Sequence, residues 1–247
     1  MIELDVFNQA DIQEVISTVK EFRTLDDILI DEKITYDVPI ARPQKILCIG
    51  RNYSEHAKEL GNEAPSEPIF FAKMPSSMLP HEGTIMIPHN VGRVDHEIEL
   101  AVIIGKTTKH VPVIQAHEMI AGYTIVNDVT ARAMQKGDIE RKQPWLRSKS
   151  FDTFCPIGPY LIPAEVIGNP QNLQLTLRVN GEIRQQSNTA NMIFPVDELI
   201  AYISRHMTLL PGDIIATGTP EGISPIQSGD QVTAEVESIG TLINSVH

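Results

Sequence analysis

From Lys45 onward the chain is a series of short apolar runs punctuated by glycine and proline, and these runs do not alternate regularly with helices. KILCIG (45–50), IFFAK (69–73), IELAVIIG (98–105), GYTIVND (122–128), LQLTLRVNGE (173–182), DIIATG (213–218) and QVTAEVESIGTLINSV (231–246) have the length and composition of strands. Leu173, Leu175, Leu177 and Val179 alternate with polar residues, as a strand with one buried face requires, and Asn180-Gly181 is a hairpin-turn signal. Within this region helical spacing is confined to Tyr53–Leu60, Val129–Lys136 and Val196–Met207. Strands with so few helices between them disfavour a doubly wound parallel sheet. The expected class is α+β: a mixed, largely antiparallel β-sandwich roll with few helices.

Residues 1–44 differ in character. Ile12, Val15, Ile16, Val19 and Phe22 recur at helical spacing, and Asp11 with Glu14 resembles a capping box. Pro39 and Pro43 then mark a boundary. The expectation is a small N-terminal segment with one amphipathic helix over 1–44 and a main, catalytic domain over 45–247. With 247 residues, 42% of them hydrophobic, the chain can bury a substantial core.

Charge narrows the partners. A net charge of −12 repels nucleic acid and anionic membranes, and no Lys/Arg run counters it. Many soluble proteins carry such a charge for solubility alone, so it excludes partners without naming one. No run is long enough to cross a bilayer, and MIELDVFNQA lacks the basic and apolar regions of a secretory signal. The two cysteines, Cys48 and Cys155, form no disulfide framework and read as buried small hydrophobes. A cytoplasmic protein is expected.

Several familiar motifs are absent. Gly105-Lys106-Thr107 suggests a phosphate loop, but that motif needs glycine where Leu100 stands. There is no GxGxxG, CxxC, HExxH or GxSxG.

The informative segment is Val94–Gly105, an apolar strand that begins with carboxylates. Side chains alternate along a strand, so Glu97 and Glu99 share a face and His96 takes the other. Two neighbouring carboxylates in a partly buried place need a cation, a proton or basic partners, and a hard divalent ion with oxygen ligands meets that need. Asp128, at the end of GYTIVND, is a third candidate. The plainer alternatives are a solvated strand end for the pair and a helix cap for Asp128. Lys149 and Arg51 read either as site cations or as surface charges. His56 and Glu59, three apart on a helix, read as a base with its orienting carboxylate or as a weak surface pair.

GRNYSEHAKE, VDHEIELAVIIGK, IVNDVTARAMQ, WLRSKSFDTFCPIGP, VNGE and LLPGDIIATGTPEGI, in this order from about Lys45 to Val246, together resemble the fumarylacetoacetate hydrolase family. The branch they resemble is that of the small acylpyruvate hydrolases and oxaloacetate decarboxylases. The resemblance implies the family's β-roll, a homodimer and a site binding Mg2+ or Mn2+. It implies Glu97, Glu99 and Asp128 as metal ligands, Lys149 beside metal and substrate, and His56 with Glu59 as a base dyad on a lid helix. It further implies Arg51, Gln135 and Thr189 as contacts to the oxo acid, and Gly218 and Thr219 within the active-site loop Thr217–Pro220. Asn188 departs from the relatives' usual residue, which leaves the contact at Thr189 open.

The implied activity is cleavage of a C–C bond in a small 2-oxo acid through a metal-bound pyruvate enolate, foremost acylpyruvate (2,4-dioxo acid) hydrolysis. Oxaloacetate decarboxylation and the isomerisation or decarboxylation of 2-hydroxyhepta-diene-dioate-type acids are the enzymatic alternatives. A metal-binding family member without catalysis is the alternative of another class.

Overall fold

The computed structural model describes Ser17 and residues 34–247, so the helix expected over 11–22 lies outside the described residues. The strands in chain order are β1 (Ile46–Gly50), β2 (Ile69–Lys73), β3 (Met78–Leu79), β4 (Thr84–Ile85), β5 (Val94–Asp95), β6 (Ile98–Ile104) and β7 (Ile120–Asn127), followed by β8 (Thr130–Ala131), β9 (Cys155–Pro163), β10 (Gln174–Val179), β11 (Glu182–Asn188), β12 (Ile214–Ala216), β13 (Gln231–Val236) and β14 (Gly240–Val246). Between them lie α1 (Ser54–Glu59), α2 (Arg132–Glu140), α3 (Leu146–Lys149), α4 (Ala164–Ile167) and α5 (Val196–His206).

A seven-stranded sheet runs β2-β1-β12-β6-β7-β9-β3, a five-stranded sheet runs β11-β10-β13-β14-β4, and β5 pairs with β8. Both larger sheets are mixed. The parallel pairs are β1 with β12, β3 with β9 and β14 with β4, and the other pairings are antiparallel. The architecture is therefore the expected α+β arrangement of mixed sheets with few helices. Among the described residues no helix is long and apolar enough to cross a membrane.

Strand β6 shows how the core is organised. Leu100, Val102 and Ile104 face the larger apolar cluster, where Leu175, Leu177, Val232, Ala234 and Val236 come from the five-stranded sheet. Ala101 and Ile103 face a smaller cluster with Ile46, Cys48, Ile214 and Ala216. A strand covered on both sides reads as an unbroken apolar run, as residues 100–104 of β6 do. The β10–β11 hairpin turns at Asn180 and Gly181 with φ of 52° and 83°, the left-handed values that a two-residue Asn-Gly turn demands. Helix α5 buries Val196, Leu199, Ile200 and Ile203 at helical spacing. Acids in its first turn and Arg205 and His206 in its last suit the helix dipole.

Three details differ from the sequence expectation. Residues 129–131 are extended rather than helical because Thr130 and Ala131 pair with Asp95 and Val94, so α2 starts only at Arg132 and Asp128 does not cap it. The strand β9 was hidden by Pro156, Pro159 and Pro163, yet it pairs with β7 and β3. The run 231–246 divides at a turn into β13 and β14.

Candidate active site

Glu99 lies on the same side of β6 as Ala101 and Ile103, the side of the smaller cluster, and cross-strand pairing puts Phe71 opposite Cys48 and Lys73 opposite Ile46 on that side too. Apolar side chains fill one part of this face, and polar groups gather at the rest. Asp128 follows directly on β7, whose Asn127 pairs with Ile98, and the Asp128 N–H donates to the Glu97 carbonyl at 2.8 Å. The side-chain oxygen of Asn127 accepts from Glu97 N at 2.8 Å. Backbone pairing thus brings three distant carboxylates together. Ligand oxygens of Glu97, Glu99 and Asp128 all lie within 4.8 Å of one another, and all three residues are buried.

Basic groups surround this cluster unequally. Lys149 donates to Glu97 Oε2 at 2.8 Å and to Asp128 Oδ2 at 2.6 Å, with its ammonium 5.0 Å from the Phe71 ring centroid. Lys73, fully buried, donates to Asp128 Oδ1 at 2.7 Å. Arg132 binds Glu97, Asp95 and Gln135. Glu99 receives only the Gly218 N–H, at 2.7 Å on Oε2, leaving Oε1 without a partner among the described residues.

The electrostatics follow from that inequality. Burial works against the ionised form of Glu97, but Lys149 and Arg132 outweigh it and hold the group far below the ordinary carboxylate range. Burial and the repulsion of Asp128 and Glu97 push Glu99 well upward. Burial likewise opposes the Lys149 cation, yet Asp128 and Glu97 hold it firmly ammonium. A hard divalent ion fits this donor set: three converging carboxylates, one with an unpartnered oxygen, leave part of an octahedral shell for other ligands.

A cavity of about 500 Å³ opens onto the cluster, within the range of small-molecule sites. Arg51, His56, Glu59, Gln135, Lys149 and Thr219 line it together with the three carboxylates. His56 is buried on α1, and its Nδ1 lies 3.1 Å from Glu59 Oε2. The other oxygen of Glu59 accepts from Gly222 N at 3.1 Å. Burial raises the Glu59 pKa, but the bonds from His56 and Gly222 prevail and the group sits below its ordinary value. Arg51 is in the left-handed region (φ 59°), and neither its guanidinium nor the Gln135 Nε2 has a hydrogen-bond partner among the described residues.

Two expected substrate contacts have structural duties instead. Thr189 is buried away from the cavity, where its hydroxyl accepts from Leu173 N at 2.8 Å and its N–H bonds the Leu173 carbonyl, which fixes the approach to β10. Gly218 contributes its N–H to Glu99 rather than a surface to the cavity, and a Cβ there would lie 2.7 Å from that of Asn52. Thr219 reaches the cavity, but its hydroxyl is occupied by the Ile98 carbonyl and Gln185. His96 faces away, held by Gln185 and Ser224.

Sequence reading missed Lys73, Arg132, Phe71 and Trp145. Arg132 carried a usable signal, since it stands three residues before Gln135 on one helix face. Lys73 carried none, being a lysine at the end of an ordinary strand.

A family model, fumarylacetoacetate hydrolase C-terminal, matches residues 45–247. The chain belongs to the fumarylacetoacetate hydrolase family. A mitochondrial oxaloacetate tautomerase of Bos taurus is 41% identical over 226 residues, 89% of this chain and 71% of the relative. The crystal structure of fumarylpyruvate hydrolase from Pseudomonas aeruginosa, in complex with Mn2+ and pyruvate, superposes with a TM-score of 0.79 at 35% identity, covering 88% of this chain and 93% of that one. That of 2-hydroxyhepta-2,4-diene-1,7-dioate isomerase from Mycobacterium marinum gives 0.76 at 41% identity, with coverage of 85% and 76%. Family members thus act on small oxo acids by hydrolysis, isomerisation or tautomerisation, and one was crystallised with a divalent metal.

Proposed function

We propose that this protein is a divalent-metal-dependent hydrolase of acylpyruvates, cleaving the C–C bond between the acyl carbonyl and the pyruvate unit. The observation that carries the reading is the His56–Glu59 pair, assembled at 3.1 Å in the cavity that contains Glu97, Glu99 and Asp128. A buried imidazole oriented by a carboxylate suits removal of a proton from water. The relative crystallised with Mn2+ and pyruvate supports both the metal and the product class. Mg2+ and Mn2+ both suit an all-oxygen donor set.

Glu97, Glu99 and Asp128 would hold the cation, which when bound supplies a Lewis acid for the 2-oxo acid's oxygens and for enolate charge. The free donors of Arg51 and Gln135 receive the substrate carboxylate. His56, oriented by Glu59, takes a proton from water as the oxygen adds to the distal carbonyl. Collapse of that adduct breaks the C–C bond, releases the acyl group as a carboxylic acid and leaves the electron pair on the pyruvate fragment. Lys149, kept cationic by its neighbours, stabilises the developing negative charge. The proton on His56 returns to the enolate carbon and completes pyruvate.

A second reading is oxaloacetate tautomerisation, favoured by the 41% identity to the bovine enzyme. There His56 would move a proton between carbon and enol oxygen, with no water consumed. His56→Ala assayed on acetylpyruvate and oxaloacetate separates the two. The hydrolase reading expects acetylpyruvate hydrolysis to fall by about 10²–10⁴-fold while oxaloacetate decarboxylation, which needs no activated water, persists. A wild-type enzyme that tautomerises oxaloacetate rapidly and hydrolyses no acylpyruvate would replace it with the second reading.

A further inference from the structure

The cavity is much larger than a 2-oxo acid head group, and Phe71, Trp145, Leu60 and Ile139 contribute an apolar strip to its lining. Phe71 begins this strip beside the Lys149 ammonium. Trp145 packs edge-on against Phe71, with ring centroids 5.3 Å apart. Farther out, Leu60 and Ile139 line the same cavity although they are 38% and 46% exposed. Helix α2 gives the span. Arg132 touches Glu97 at its start, Gln135 is buried one turn on, and Ile139 stands at the open end, roughly 10 Å along the axis from Arg132 at 1.5 Å per residue.

The charges at the mouth argue against a second anionic group. Lys136 and Glu140 also line it, have opposite signs and stand four residues apart on α2. One cation and one anion at the mouth cancel in net charge and form no cationic seat such as Arg51 and Lys149 provide at the inner end. Gly50 belongs to the same construction, since a Cβ there would meet the Trp145 ring at 3.0 Å.

We propose that Phe71, Trp145, Leu60 and Ile139 form an acyl subsite, and that the preferred substrates are acylpyruvates carrying an uncharged aliphatic acyl chain of medium length. The chemistry rests on the acylpyruvate reading above, whereas the strip's recognition of an aliphatic tail is testable by binding alone. Exposed apolar side chains at the mouth of an otherwise buried site gain from covering by such a tail.

Trp145 is the single tryptophan of the chain, so its fluorescence reports occupancy of the strip. Pyruvate, 2-oxohexanoate and 2-oxooctanoate, which share the head group and have no bond to hydrolyse, would be titrated into the Mg2+-supplemented protein. Dissociation constants are expected to fall roughly two- to fourfold per added methylene. Ile139→Asn should flatten that dependence, and Ile139→Leu should retain it. Thermal midpoints of both variants control for folding. Dissociation constants independent of chain length overturn the subsite, even if acetylpyruvate is hydrolysed. Tighter binding of the diacid 2-oxohexanedioate than of 2-oxohexanoate overturns it in favour of a charged end. In parallel turnover assays, hexanoylpyruvate is expected to exceed acetylpyruvate in kcat/KM. Chain-length-dependent binding without hydrolysis of either would uphold the strip as a tail-binding site and remove only the hydrolase reading.

Discussion

Replacing Glu99 with Gln separates the cost of gathering three carboxylates from the benefit of a cation among them. Glu99 is 1% exposed, receives one backbone N–H and is repelled by Asp128 and Glu97, which together with burial push its pKa well above 4.5. A raised native pKa means that the folded protein holds a proton the unfolded chain has released. From 4.5 upward, then, the metal-free protein loses stability as the pH rises through the Glu99 transition. Glu97 has the opposite sign: its contribution is complete above 4.5 and is lost as the pH falls below that value. Glu99→Gln preserves the acceptor for Gly218 N–H and removes the charge. The metal-free variant should be at least as stable as the wild type at neutral pH, without the decline. Metal should act in reverse. At a concentration 100 times its dissociation constant, an ion that binds only the native state adds about 2.7 kcal/mol, or roughly 5–11 °C in a domain of this size. The wild type should show that rise with Mn2+, and Glu99→Gln should show almost none. Scanning calorimetry between pH 5 and 8, with and without Mn2+, makes the comparison. Equal metal-induced shifts in both proteins, or a metal-free variant several degrees less stable than wild type, would show that Glu99 is neither a metal ligand nor a repelled charge.

Other consequences are independent of that experiment. Lys73→Met leaves Asp128 with one fewer buried cation and should cost about 3–5 kcal/mol in denaturant unfolding; a loss below about 1 kcal/mol would show that Lys149 alone suffices. Gly222→Ala places a Cβ 2.1 Å from the Arg184 carbonyl at a φ of 96°, so the loop must shift and the Glu59 contact must loosen. Its kcat should drop while Mn2+ affinity stays, and a fully active variant would dismiss the Gly222 N–H as a support of the dyad. Cys48 and Cys155 are both fully buried, with burial pushing Cys155 up to about 12, so Ellman's reagent should find no thiol in the native protein and both after denaturation. Rapid native labelling would contradict the packing around them.

The fold was legible where side-chain periodicity carries the information. Alternation disclosed β10, Asn180-Gly181 gave its hairpin, and the apolar run 100–104 became the part of β6 covered on both faces. The strand spacing of Glu97 and Glu99 was enough to put them on one face, and backbone pairing supplied Asp128. Pro156, Pro159 and Pro163 concealed β9, because proline removes ladder donors and argues locally against a strand. Long-range partners were also out of reach. Lys73 meets Asp128 across 55 residues and Arg132 meets Glu97 across 35, and a single sequence does not encode which lysine or arginine will be drawn inward. Thr189 was named through the family resemblance alone, and no local pattern showed that its hydroxyl would accept from the backbone of Leu173.

Whether the three carboxylates form a metal centre for cleavage of a 2-oxo acid is decided by acetylpyruvate turnover in chelator-treated protein before and after addition of Mg2+ or Mn2+, with Asp128→Asn in parallel. A metal centre there gives negligible turnover without metal, pyruvate and acetate in equal amounts once metal is added, and no recovery in Asp128→Asn. Undiminished hydrolysis in the chelated enzyme, or full metal-restored activity in Asp128→Asn, would contradict it.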